Sequence, residues 1–273
     1  MLKQRLGAAF VLILGFLAAL FYLSSDAWAL LMGAVALGAA WEWARLGGLT
    51  GVSRGLYVLL MGAVLALFYV ASSALVLQGV WIGVLLFWLG LAPIWLVTHW
   101  TIRHRGFLVL TGLMVLAPTW LALVFLREMH PLVLLFLMGL VWVADSAAYF
   151  AGKQWGLHKL APRISPGKTW EGVMGALAVA LVYVWVWRWV SPDTMARFPA
   201  QSGWAQSLAV TLLVAVSITG DLFESHFKRV AGMKDSGNLI PGHGGILDRI
   251  DSQTSVLPVT VAFIYFGLGW AHA

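Results

Sequence analysis

Apolar residues run through this chain in blocks of roughly 18 to 25, long enough to cross a ~30 Å hydrocarbon core as helices. No other feature limits the fold as strongly. A backbone inside lipid must satisfy its own hydrogen bonds, which leaves helices and closed barrels. Barrel strands would show alternating segments of ~10 residues, and none are present. The chain is 61% apolar and only 10% charged, against about 25% charged for a soluble domain. The expected fold is all-α, a polytopic membrane protein with about nine transmembrane helices.

The candidate spans are Leu6–Leu23, Ala27–Trp43, Leu56–Val70, Leu75–Val97, Phe107–Leu126, Pro131–Ala151, Gly172–Val190, Trp204–Glu224 and Ser252–Ala271. The third is short, and the fourth carries Gln78 and Pro93. Lys3, Arg5 and Ala27-Trp28-Ala29 around the first span look like parts of a signal peptide, but its 18 apolar residues exceed a usual signal core. A retained first helix is expected. Orientation follows from the excess of Lys and Arg in cytoplasmic loops. The N-terminal tail and the loops after spans two, four, six and eight hold 14 of the 17 Lys and Arg; Arg127, Arg188 and Arg197 are on the other side. The N-terminus is therefore expected in the cytoplasm. Residues 1–130 form about five spans, and residues 131–273 form a catalytic region with cytoplasmic loops 152–171 and 225–251.

Composition excludes several function classes. With no cysteine, disulfides, zinc–thiolate sites and iron–sulfur clusters are ruled out. The net charge of +6 is distributed as orientation requires, so no nucleic-acid partner is inferred. The sixteen tryptophans suit interfacial belts, although Trp185 and Trp187 fall within a span.

Two segments carry most of the polarity. Asp145–Glu171 and Asp221–Asp251 hold 15 of the 28 charges in 58 residues, on the same expected side. Asp145 follows a long apolar stretch, and a carboxylate buried at membrane depth marks a functional site. Tyr149, four residues on, shares its helical face. In span eight, Asp221, Glu224, Ser225 and Lys228 are spaced to share one face. Asp248 and Asp251 repeat the spacing if the last helix begins near Leu247. Clustered carboxylates without cysteine suit Mg²⁺, which takes one or two protein carboxylates and completes its shell with water and substrate phosphate. That points to a phosphorylated substrate, with Lys168, Lys228, Arg229, Lys234 and Arg249 available to neutralise it. Gly242, Gly244 and Gly245 around His243 would let backbone N–H groups approach an anion. SPGKTWEG, from Ser165 to Gly172, lacks the spacing of a Walker A loop, yet Lys168 and Thr169 can still face phosphate.

These residues closely resemble the pattern of the phosphatidate cytidylyltransferase (CDP-diacylglycerol synthase) family, S-x-x-K-R-x4-K-D-x5-P-G-H-G-G-x2-D-R-x-D. Ser225, Lys228, Arg229, Lys234, Asp235, Pro241, Gly242, His243, Gly244, Gly245, Asp248, Arg249 and Asp251 meet every fixed position. Asp145, Ala148 and Tyr149 match an upstream D-x-x-A-Y element, and Ser165 to Gly172 match S-P-x-K-T-x-E-G. The resemblance implies that CTP and phosphatidate give CDP-diacylglycerol and pyrophosphate, the lipid phosphate attacking the α-phosphorus. Such chemistry rests on positioning and electrostatics. Because a phosphate monoester is already largely ionised near neutral pH, no strong general base is needed. Asp221 and Asp248 are the implied Mg²⁺ ligands, with Asp145 and Asp251 next and a second cation left open. Ser165, Lys168, Thr169, Ser225, Lys228, Arg229, Lys234, His243, Gly244 and Gly245 are expected to bind CTP or lipid phosphate. Asp221, Asp248, Lys228 and Arg229 form the expected catalytic set. The resemblance also implies a homodimer in a bacterial-type inner membrane, with its site facing the cytoplasm. A transporter would place polar groups on both sides of the barrier, and a CDP-alcohol phosphotransferase motif is absent from the sequence.

Overall fold

The computed structural model describes residues 13–71, 73–101, 105–240 and 244–267. Lys3, Arg5, Arg103, Pro241, Gly242 and His243 lie outside the described residues. Helix α1 (Ile13–Tyr22) leads into α2 (Ser25–Leu46), where the Ser24 hydroxyl accepts from the Ala27 N–H as an N-cap. Then come α3 (Gly51–Ala71), α4 (Ala74–Leu85), a π-helical turn (Leu86–Leu91), α5 (Ala92–Thr98), α6 (Arg105–Met129) and α7 (Pro131–Trp155). A hairpin of β1 (Lys159–Ala161) and β2 (Ser165–Thr169) precedes α8 (Trp170–Val190), α9 (Pro192–Met195), α10 (Gly203–Val230), α11 (Leu247–Ile250) and α12 (Gln253–Gly267). Among the described residues seven helical runs are long and apolar enough to cross a membrane, with α4 to α5 counted as one; α1 and α12 are shorter and apolar. Each falls on one of the expected spans.

The span with Pro93 is continuous because its geometry absorbs the proline. A proline lacks an N–H, and its ring clashes with the carbonyl four residues back. Just before it the helix widens, so that the Ala92 N–H reaches the Phe87 carbonyl, five residues away. Trp88, in this wider turn, packs edge-on against Phe223 of α10 at 5.6 Å between ring centres. Pro258 in α12 leaves the Thr254 carbonyl without its usual donor. The Thr119 hydroxyl of α6 shares its one proton between the Val115 carbonyl of its own helix at 2.7 Å and that Thr254 carbonyl at 3.2 Å.

Several tryptophans are core residues rather than belt residues. Trp28, Trp81, Trp88 and Trp95 are fully buried. The Trp28 and Trp43 indoles donate to the Leu123 and Leu108 carbonyls of α6, and Trp120 donates back to Ala29. These bonds give three indole N–H groups an acceptor and tie α2 to α6, whereas the buried Trp88 N–H has none among the described residues. Trp185 and Trp189 on α8 are exposed, as suits a lipid-facing side.

Small residues bring together the helices that frame the site. A Cβ on Gly172 of α8 would lie 2.8 Å from the Ala148 carbonyl of α7, and one on Gly175 would collide with Ala151. This is the close backbone approach that small residues permit between membrane helices. Similarly, α10 meets α12 at Gly220, where a Cβ would collide with Ser255 and come within 3.0 Å of the Asp251 carbonyl. Asp221 is thereby set beside Asp251.

Within the segments 152–171 and 225–251, α7 runs on to Trp155 and α10 to Val230. Between α7 and α8 the chain forms antiparallel strands with Lys159 opposite Thr169 and Ala161 opposite Ser165. Pro166 is tolerated because a two-stranded hairpin leaves one edge of each strand unpaired. The Thr169 hydroxyl accepts from the Gly172 N–H at 3.1 Å and caps α8.

Candidate active site

A cavity of about 740 Å³ opens among α7, α8, α10, β2 and the α11 region. Four aspartates line it: Asp145 from α7, Asp221 from α10, Asp248 from α11, and Asp251 just beyond. Lys153, Lys168 and Arg249 share the lining with Tyr149, while Trp142, Val173, Val214 and Ile218 supply an apolar wall. Carboxylates, cations and a hydrocarbon surface thus meet in one space.

Asp221 and Asp248 are each already paired with a lysine ammonium. Lys168 Nζ lies 2.5 Å from Asp221 Oδ2, and the Ser225 hydroxyl donates to Asp221 Oδ1 at 3.2 Å. Lys228 Nζ donates to Asp248 Oδ1 at 2.8 Å and sits 3.3 Å from Glu224 Oε2. The backbone N–H of Gly245 donates to Asp248 Oδ2 at 2.9 Å, and that of Ser236 reaches both oxygens at 3.2 and 3.0 Å. Burial by itself would raise the Asp248 carboxyl, but Lys228 and the two amides outweigh it and hold it below the ordinary carboxylate range. Burial and then the negative charges of Asp221 and Glu224 push Asp251 well above that range.

The loop between α10 and α11 takes its shape from Asp248 and from Gly244. Gly244 has φ +86°, a left-handed conformation costly for any side chain, and its carbonyl accepts from the Ile240 N–H at 3.0 Å. The turn places the Gly245 amide on Asp248.

The structure brings some expected residues together and leaves others apart. Asp145, Asp221, Asp248, Asp251, Lys168 and Thr169 line the cavity. Asp145 is not buried between helices but open to this space. Glu224, Ser225 and Lys228 are buried, so their shared face looks into the protein rather than toward lipid headgroups. Ser165, Ser225, Lys228, Arg229, Lys234, Gly244 and Gly245 are not among the cavity-lining residues, although Lys228 and the Gly245 amide reach the cavity's Asp248. Arg229 bonds the carbonyls of Ile164 and Met233, tying the hairpin and the loop to α10. Lys234 is exposed. Thr169 accepts the Gly172 N–H as the α8 cap, which leaves its hydroxyl proton available to donate.

The model of the Cytidylyltransferase family matches residues 3–267. The chain belongs to this family. It is 41% identical to a phosphatidate cytidylyltransferase of Pseudomonas aeruginosa across 99% of both chains. A Haemophilus influenzae protein of the same name is 36% identical over 98% of this chain and all of its own. A Bacillus subtilis phosphatidate cytidylyltransferase is 46% identical over 127 residues, 46% of this chain and 43% of its own.

One residue of this family member escaped the motif analysis. Glu42 of α2 is 1% exposed and contacts the loop before α11 and the start of α11, accepting from the Ser236 hydroxyl and the Leu247 N–H. The sequence signal existed, since Trp41-Glu42-Trp43 puts a carboxylate at the end of an apolar span.

Proposed function

We propose that the protein transfers the cytidylyl group of CTP to phosphatidate, giving CDP-diacylglycerol and pyrophosphate, in a Mg²⁺-dependent reaction. The observation that carries the proposal is a single cavity with four aspartates, cationic side chains and an apolar wall, in a chain of the cytidylyltransferase family.

The donor set fits Mg²⁺. Among the described residues no three His, Asp or Glu side chains form a complete metal cage, but Mg²⁺ needs only one or two carboxylates when substrate phosphate supplies the rest. Asp221 and Asp248 would hold it, with Asp145 and Asp251 alongside. The ammonium groups now on Asp221 and Asp248 occupy positions where a cation is favoured. Bound Mg²⁺ would offset charge on the triphosphate; a second cation is left open. Lys168 and Lys228 then neutralise phosphate oxygens, and the Gly245 turn and His243 bind phosphate by hydrogen bonds. The apolar wall at Trp142 accepts the lipid side of phosphatidate. Orientation and charge neutralisation, with no covalent enzyme intermediate, lower the barrier to attack on the α-phosphorus. The proposal includes a bacterial cytoplasmic membrane and a cavity facing the cytosol, supported by the Lys and Arg distribution, and a homodimer on family resemblance.

The test is incubation of purified protein with phosphatidate, Mg²⁺ and α-labelled CTP. Label should enter the organic phase as a liponucleotide, and chelation should stop it. No labelled lipid across a range of metals and detergents would overturn the proposal.

A further inference from the structure

Glu42 belongs to the half of the chain that none of the site motifs reaches, yet its carboxylate is built into the loop behind Asp248. Oε2 accepts from Ser236 Oγ at 2.9 Å and from the Leu247 N–H at 3.0 Å. Oε1 has no hydrogen-bond partner among the described residues. Burying a carboxylate is costly unless donors repay it, and the two donors here come from the loop and from the first residue of α11. The loop is also moulded to the carboxylate. A Cβ on Gly237 would collide with Glu42 Oε1, and one on Gly245 would come within 2.5 Å of Oε2. Ser236 links the two sides, its hydroxyl on Glu42 and its N–H on Asp248, which holds Lys228 at 2.8 Å.

We propose that Glu42 is a positioning residue for the cytidylyl transfer: through Ser236 and Leu247 it fixes where Asp248 holds Lys228, without touching substrate. The inference rests on the transfer activity proposed above. It assigns to α2 a function in the reaction, since Glu42 and Leu247 are separated by 205 residues of sequence.

The test uses the full-length enzyme in detergent with Glu42→Gln, which keeps the size but removes the charge, and Ser236→Ala, which removes one donor. Each should lower kcat by about tenfold or more, the factor expected from losing a charge-assisted hydrogen bond. Thermal unfolding should stay near wild type, and backbone amides of residues 236 to 248 should exchange faster with deuterium. In the Ser236→Ala background, Glu42→Gln should add less than it costs in the wild type, because the Ser236 contact is already gone and only the Leu247 N–H contact is left to weaken. Wild-type kcat in both single variants, losses that multiply in the double variant, or losses that only follow the unfolded fraction would each overturn the proposal. Should Glu42→Gln fail to fold, Ser236→Ala carries the same test alone. If the wild type makes no labelled lipid, the transfer activity fails, and the exchange experiment then decides this inference separately: unchanged exchange over 236 to 248 sinks it.

Discussion

Asp248→Asn removes one charge from the most heavily bonded carboxylate of the cavity while keeping its size. Asp248 accepts Lys228 Nζ at 2.8 Å, the Gly245 N–H at 2.9 Å and the Ser236 N–H at 3.0 Å. Asparagine has one acceptor oxygen, so its amide group must face either the ammonium or the turn. That sets donor against donor and forfeits a charged hydrogen bond worth about 1.5–3 kcal/mol. The Lys228 and Asp248 side chains are only 11% and 10% exposed, so water screens little of the loss. Breaking a buried pair outright costs about 3–5 kcal/mol. Glu224, 3.3 Å from Lys228, retains part of the attraction and argues for about 2–3 kcal/mol, or roughly 30- to 150-fold. The assay is kcat/KM with α-labelled CTP over a Mg²⁺ titration, paired with thermal unfolding in detergent. Activity should fall at least by that factor, and half-maximal activity should require more Mg²⁺. Activity and unfolding both within about threefold of wild type in free-energy terms, ~0.7 kcal/mol, would refute the bonding scheme and remove Asp248 from the metal site.

Other perturbations test separate links. Gly220→Ala should lower the unfolding midpoint through overpacking of about 1–3 kcal/mol, since its Cβ meets Ser255 and the Asp251 carbonyl; Gly79→Ala, with nothing within 4 Å, should leave the midpoint unchanged or raised. Thr119→Val should cost about 0.5–1.5 kcal/mol, since its hydroxyl is shared between the Val115 and Thr254 carbonyls, and Pro258→Ala, which restores a helical N–H to Thr254, should reduce that cost in the double variant when both are followed by thermal unfolding. Mg²⁺ at about a hundredfold its Kd should stabilise the protein by ~2.7 kcal/mol in a thermal shift without substrate; a shift retained in an Asp221→Ala/Asp248→Ala variant would place the ion elsewhere.

The helical runs were legible because lipid demands long apolar stretches whatever the side chains pack against. The cavity aspartates were legible because Asp221 and Asp248–Asp251 interrupt that apolar pattern at helical spacing. Arg229 and Lys234 share the same dense motif, but charge in a motif does not say which way a side chain points, and neither lines the cavity. The hairpin at Lys159–Thr169 was hidden because Pro166 and Gly167 have the composition of a loop. Glu42 was overlooked for a different reason. Its partners, Ser236 and Leu247, are set by the tertiary packing of α2 against the loop, and no local pattern records a contact at that separation.

The hairpin gives the cavity's charge balance a mechanical basis. Lys168 stands on β2 one residue before the α8 cap, and Lys159 pairs with Thr169 across the hairpin. Successive side chains on a strand point to opposite faces, so a one-residue insertion between Lys168 and the Thr169 cap would turn the lysine outward. The four aspartates would then have lost a neutralising charge with no cavity residue altered. Strand register, as much as the identity of Lys168, decides how much negative charge greets an incoming phosphate.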